Sequence, residues 1–168
     1  MNIFSKLFLL IFFTTAACND VKQKELKRDT SLKSEIQKVK LASLNGEPIN
    51  MEQHKGQTVF INFWATWCKP CREEMPSIQR AKALLKNENI EFLFASDESI
   101  DQIESFKASH DYGLNYVNAG NMEELNIMGL PTTFIFDKNG KQVFSEMGYR
   151  KWDDRTNIDF ILKIVRQE

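Results

Sequence analysis

Apolar and polar positions divide the chain into three stretches. Residues 7–13 form an unbroken apolar run, preceded by Lys6 and followed by the small residues Thr14, Thr15, Ala16 and Ala17. Residues 19–38 are rich in Lys, Glu, Asp, Gln and Ser and contain no aromatic residue. Such a segment cannot bury enough apolar surface to offset its ordering entropy and reads as a solvated spacer. From Val39 onward, short apolar segments alternate with turn residues. Residues 40–44, the turn signal Asn45-Gly46 and residues 47–50 predict a small strand pair. Residues 58–64 carry no charge and are β-branched and aromatic, which predicts a central strand buried on both faces. A helix is expected over 69–85, with Met75, Ile78, Ala81 and Leu85 as its apolar stripe. Pro70 falls in its first turn, where proline is tolerated, whereas Pro76 lies within the stripe and should kink it. A strand at 90–95 precedes a helix capped by Asp97 or Ser99 and reaching about Ser109, with Ile100, Ile103 and Phe106 inward. A short strand at 115–117 follows. Residues 132–136 and 142–145 make a hairpin about the turn Asp137-Lys138-Asn139-Gly140. A last helix at 154–166 places Ile158, Ile161, Leu162 and Val165 on one face. This order of elements implies one α/β three-layer domain over 39–168.

The amino-terminal pattern is an address. A short polar start, an apolar core and small residues over 1–17 give the order of a secretory signal peptide. The apolar run is about half of the roughly 20 residues that a spanning helix needs. Cys18 directly after Ala16-Ala17 resembles the end of a bacterial lipoprotein signal, whose cysteine becomes the lipid attachment site; Thr15 stands where that pattern prefers Leu. The alternative is cleavage after Ala17 that leaves a free thiol, a liability in an oxidising compartment. The expectation is an exported domain in the cell envelope or periplasm, held on the lipid bilayer by Cys18 and the charged tether that continues to residue 38.

Composition narrows the partners. The 168 residues include 42% apolar residues and 13 Phe, enough for one well-filled core. The net charge of −1 lacks the basic excess of a nucleic-acid binder. The domain is expected to be a monomer. Three cysteines are too few for a disulfide-stapled scaffold. One Cys pair with two scattered histidines, His54 and His110, does not make a structural zinc site, so no metal is expected.

The pair Cys68 and Cys71 carries the chemistry. Between a strand and a helix, Cys68 falls at a helix N-terminus, where unpaired N–H groups and the helix dipole favour a thiolate. Cys71 lies one turn on, within disulfide reach and more buried. Cys68 can then attack a partner disulfide, and Cys71 can resolve the mixed disulfide. Trp67 offers a flat apolar docking surface. Lys69 either assists the thiolate or faces solvent. The redox reading outweighs a structural bridge, because so short a loop removes little unfolded-state entropy. A non-catalytic tethered binding module or metal carrier is the alternative function. A thiol peroxidase of the same fold is a third.

The segment Phe63-Trp64-Ala65-Thr66-Trp67-Cys68-Lys69-Pro70-Cys71-Arg72-Glu73-Glu74-Met75-Pro76 closely resembles the active-site segment of TlpA- and ResA-like thioredoxins, and Gly129-Leu130-Pro131-Thr132-Thr133-Phe134-Ile135-Phe136-Asp137 resembles their second signature. The likeness extends from about Lys40 to the C-terminus. It implies a thioredoxin fold, a central mixed sheet with helices on both faces and a short N-terminal strand extension. It implies an exported, membrane-tethered thiol–disulfide oxidoreductase, chiefly a reductant, with the Cys68–Cys71 disulfide in place of any cofactor. It further implies a cis Pro131 that faces the cysteines, with the Leu130 backbone presented to substrate; Trp67, Lys69 and Pro70 complete the expected substrate-binding residues. Glu74 matches an acid that takes and returns the Cys71 proton. Asn62 stands where cytoplasmic thioredoxins carry a buried Asp, and neutral Asn cannot serve as that base. The implied partners are a disulfide-containing exported protein, such as one in cytochrome c maturation, and a membrane thiol electron donor.

Overall fold

The protein is described by a computed structural model over residues 34–167. The signal peptide expected at 1–17, Cys18 and the tether up to residue 33 lie outside the described residues. The strands are β1 (Leu41–Ala42), β2 (Pro48–Ile49), β3 (Thr58–Phe63), β4 (Ile90–Ser96), β5 (Asn115–Ala119), β6 (Thr132–Phe136) and β7 (Gln142–Met147). The α-helices among the described residues are α1 (Lys69–Leu84), α2 (Ile100–Ser109) and α3 (Arg155–Arg166), with short 3-10 turns at Glu35–Lys38 and Met51–His54.

The strands form one mixed sheet in the order β2-β1-β5-β4-β3-β6-β7. β3, β4 and β5 run parallel, as α-helical crossovers require, and the remaining pairs are antiparallel. All residues of β3 are buried, in accord with its charge-free sequence. Side chains alternate across the strand. Phe60 and Trp64 enter a core shared with α1, α2 and α3, whereas Val59, Ile61 and Phe63 enter a second core on the other face. Among the described residues, that second face is covered by Ile36, Val39, Met51 and the β5–β6 connection with Met122, Leu125 and Ile127.

α1 runs through Pro76 without interruption. The carbonyl that Pro76 leaves unpaired belongs to Arg72, which is exposed and can be solvated. Ser99 caps α2 in a capping box with Gln102, and Ile100 is only half-buried while Ile103 and Phe106 are buried. The packed chain also corrects the tether boundary expected at residue 38. The 3-10 turn at Glu35–Lys38 is docked, with Ile36 buried. The Ile36 amide donates to the Gly140 carbonyl at 3.0 Å, and the Glu35 carboxylate accepts from the Gln142 amide at 2.7 Å. No helix among the described residues is long and apolar enough to cross a membrane.

Candidate active site

The site is built where β3 gives way to α1. The Trp64 amide donates to the Ala95 carbonyl at 3.0 Å, so the chain stays on the sheet just past Phe63. A turn closes with the Cys68 amide on the Ala65 carbonyl at 3.1 Å, and Cys68 becomes the N-cap of α1. Cys68 and Cys71 are joined in a disulfide with their Cα atoms 5.3 Å apart. The Cys71 amide donates to Cys68 Sγ at 3.2 Å, the place a side-chain oxygen takes in an ordinary cap. In the reduced protein this donor and the other free amides of the first turn favour negative charge on Cys68.

The environment of the two sulfurs is asymmetric in the expected sense but narrowly so: Cys68 is 3% exposed and Cys71 0%. The accessible surface beside them is Trp67, at 72% exposure, with Lys69 and Pro70 also exposed. Lys69 Nζ lies 3.7 Å from Glu73 on the open face of the helix. Its charge is therefore shared with a carboxylate, which weakens any help to the thiolate.

The second signature arrives through strand register. Thr132 pairs with Phe63 across β6 and β3, so the cis Leu130–Pro131 peptide lies beside the end of β3 that leads into the cysteines. Pro131 is buried and Leu130 half-buried. The Pro131 carbonyl accepts from the Gly148 amide at 2.7 Å, and Leu130 packs against both cores.

Glu74 follows Cys71 on α1 and is fully buried. Its Oε1 accepts from the Trp152 indole N–H and, at 3.2 Å, from the Arg150 amide. Its Oε2 accepts from Asn62 Nδ2 at 3.4 Å, and the same amide donates to Thr133 Oγ1 at 3.0 Å. Burial pushes the Glu74 pKa up to about 7, while the bonds from Trp152, Arg150 and Asn62 and the Arg150 charge hold it back. A carboxyl poised near neutrality can both take and return a proton. The Arg150 guanidinium is fixed by Asn157 at 2.8 Å and by Glu146, and it lies 5.2 Å from the Phe144 ring and 5.4 Å from the Trp152 ring.

Sequence reasoning did not find Trp152 and Arg150. They lie far along the chain from Glu74 and belong to no local pattern; a Trp just before a helix N-cap is their only signal. Asn62 is brought to Glu74 as a hydrogen-bond donor. Among the described residues no group of three His, Cys, Asp or Glu side chains could hold a metal ion.

Comparison with known proteins fits this geometry. The chain is 34% identical over 106 residues to the thioredoxin-like protein YneN of Bacillus subtilis, covering 60% of this chain and 62% of that protein. It is 35% identical over 106 residues to the thiol-disulfide oxidoreductase ResA of Geobacillus thermodenitrificans, covering 60% of each. The match thus spans about three-fifths of the length of these relatives. The crystal structure of a putative thiol:disulfide interchange protein DsbE from Chlorobium tepidum superposes with a TM-score of 0.66 at 23% identity, over 80% of this chain and 98% of that one, which places the fold among the thioredoxin-like proteins. Residues 32–143 match the model of the AhpC/TSA family. Both signatures lie inside that stretch; the chain, similar in sequence to ResA and thioredoxin-like in fold, belongs to the AhpC/TSA family.

Proposed function

We propose that the protein is a thiol–disulfide oxidoreductase that reduces disulfides of exported proteins. The observation that carries this reading is the disulfide at the start of α1, with Cys68 Sγ capping the helix and a buried carboxyl of pKa about 7 one turn beyond Cys71. The Cys68 thiolate attacks a substrate disulfide; one substrate sulfur leaves as thiolate and a mixed disulfide forms. Cys71 then gives its proton to Glu74 and attacks Cys68 Sγ. The second substrate sulfur leaves and takes a proton, so the substrate gains two electrons and the Cys68–Cys71 bridge closes. Trp67, Lys69, Pro70 and the Leu130–Pro131 backbone form the docking surface.

The amino-terminal pattern supports export, lipidation at Cys18 and attachment to a membrane, where a thiol donor returns Cys68 and Cys71 to the dithiol. Cytochrome c maturation would supply one such substrate class. The test is reduction of insulin disulfides by the reduced full chain. Wild-type protein should turn over and Cys68→Ser should not; activity that survives Cys68→Ser rejects the reading. Mass spectrometry of the membrane fraction reads the acyl group on Cys18.

A further inference from the structure

The turn that delivers Cys68 is held from outside its own segment. Thr66 precedes Cys68 by two residues and is tied to Glu98, which lies just beyond the end of β4. The Thr66 amide donates to Glu98 Oε2 at 2.6 Å, and the Thr66 hydroxyl donates to Glu98 Oε1 at 2.6 Å. Both carboxylate oxygens are therefore used on one residue. The carboxylate is itself anchored. The Ser96 hydroxyl donates to Oε2 at 3.1 Å, and Asn118 Nδ2 on β5 donates to the Glu98 carbonyl at 2.8 Å and to the Ser96 carbonyl at 3.2 Å. Hydrogen bonds to an ionised carboxylate are roughly twice as strong as neutral ones. A part-buried carboxylate spent on an amide and a hydroxyl of one turn residue fixes that turn against two strands of the sheet.

We propose that Glu98 is a positioning residue for the nucleophile: by holding Thr66 it sets the 65–68 turn so that Cys68 Sγ meets the Cys71 amide at the start of α1. The inference rests on Cys68 being the attacking sulfur. Without the clamp the turn gains freedom, Sγ spends less time on the amide, and the thiolate loses that stabilisation. Charged groups near the site include Lys69 and Glu73, paired with each other, Arg72 one turn along α1 from Cys68, Glu74 in the core with Arg150 beside it, and Glu98 itself. Removing the Glu98 charge alone would favour the Cys68 thiolate, so the two roles predict opposite signs.

The test is the titration of Cys68 in the reduced full chain, read from the pH dependence of its alkylation by iodoacetamide, together with insulin reduction. In Glu98→Ala the Cys68 pKa should rise by up to about one unit, a fall of up to about tenfold in alkylation rate below the wild-type pKa. Insulin reduction should fall with it. Glu98→Gln keeps an acceptor for the Thr66 amide and can donate to the Thr66 hydroxyl oxygen, so insulin reduction should return to near wild type and the Cys68 pKa to the wild-type value or, with the charge gone, slightly below it. A downward shift in Glu98→Ala, or no shift in it with its circular dichroism unchanged, overturns the proposal. So does a Glu98→Gln variant as slow as Glu98→Ala. If Glu98→Ala does not fold, Thr66→Val carries the test: it removes one of the two bonds and must raise the Cys68 pKa by a smaller step, and an unmoved titration overturns the clamp. Wild-type protein inactive on insulin would sink the functional reading above, while the alkylation titration would still decide the clamp.

Discussion

The two faces of the sheet draw alternate residue pairs from the β3 ladder and are filled with different material. On the first face Phe60 stands between Phe92 at 4.9 Å and Trp152 at 4.8 Å, and Trp64 contacts Phe106 at 4.7 Å and Tyr116 at 5.5 Å. The same face holds Cys68, Cys71, Asn62 and Glu74. On the second face Val59, Ile61 and Phe63 meet Ile36, Val39, Met51 and Phe134, and the buried polar residue of the β3–β6 ladder there, Thr132, carries no charge. One face combines stability with chemistry; the other supplies stability alone. Large rigid rings suit the first because a buried carboxyl needs donors held at fixed places, and Trp152 is at once a core ring and such a donor.

The sharpest way to break this division is to cut the same side chain from each face. Phe60→Ala and Phe63→Ala both remove a fully buried ring from β3. Each should cost about 3 to 5 kcal/mol in urea unfolding. Only Phe60→Ala should also move the Glu74 titration, because it removes the ring against which Trp152 is set. A shift of Glu74 in both variants, read by carboxyl NMR, would end the distinction between the faces.

Glu74 itself gives the next largest effect. Its folded pKa of about 7 lies above the ordinary 4.5, so the folded state holds a proton that the unfolded state has released. The stability this contributes is complete below pH 4.5 and lost as pH rises through about 7. At about 1.4 kcal/mol per unit the loss is about 3 kcal/mol. Urea unfolding of the oxidised protein should therefore weaken between pH 5 and pH 8 by about that amount, and Glu74→Gln should flatten the slope. Trp152→Phe refines the point. It keeps a ring but deletes the indole donor, the foremost influence opposing burial. The Glu74 midpoint should rise by about one unit, the worth of a hydrogen bond to a charged group. An unmoved midpoint would mean that Trp152 serves only as core.

What was legible in the sequence follows the same divide between local and distant causes. β3 and α1 show themselves through a charge-free run and an apolar stripe, and Cys68, Cys71 and Pro131 through contiguous motifs. β1 and β2 shorten to Leu41–Ala42 and Pro48–Ile49, because beyond them the hairpin closes into a turn, with the Ser43 amide on the Glu47 carbonyl at 2.9 Å. Glu74 was legible as an acid beside the cysteines by resemblance. Its control by Trp152 and Arg150, and the hold of Glu98 on Thr66, were not, since each joins residues that only the folded sheet brings together. The docking of Ile36 escaped for a similar reason. Val21, Leu26, Leu32 and Ile36 are too sparse in that charged stretch to mark an element, and the partner of Ile36 is a turn more than a hundred residues further along the chain.

That contact supplies the smallest predicted effect and the control for the others. Gly140 closes the β6–β7 turn with φ +74°, a conformation that L side chains rarely adopt. A Cβ there would meet Ile36 Cγ2 at 2.8 Å and Ser34 Oγ at 3.0 Å. Gly140→Ala should lose about 1 kcal/mol to the left-handed backbone, with the Ile36 contact relieved by a small shift of the 3-10 turn. The damage falls on the second face, far in the fold from Glu74 and the cysteines. The Glu74 midpoint and the rate of insulin reduction should therefore match the wild type while the urea midpoint drops. If Gly140→Ala changes the exchange rate as well, the apolar face is coupled to the redox site, and the sheet does not insulate one from the other.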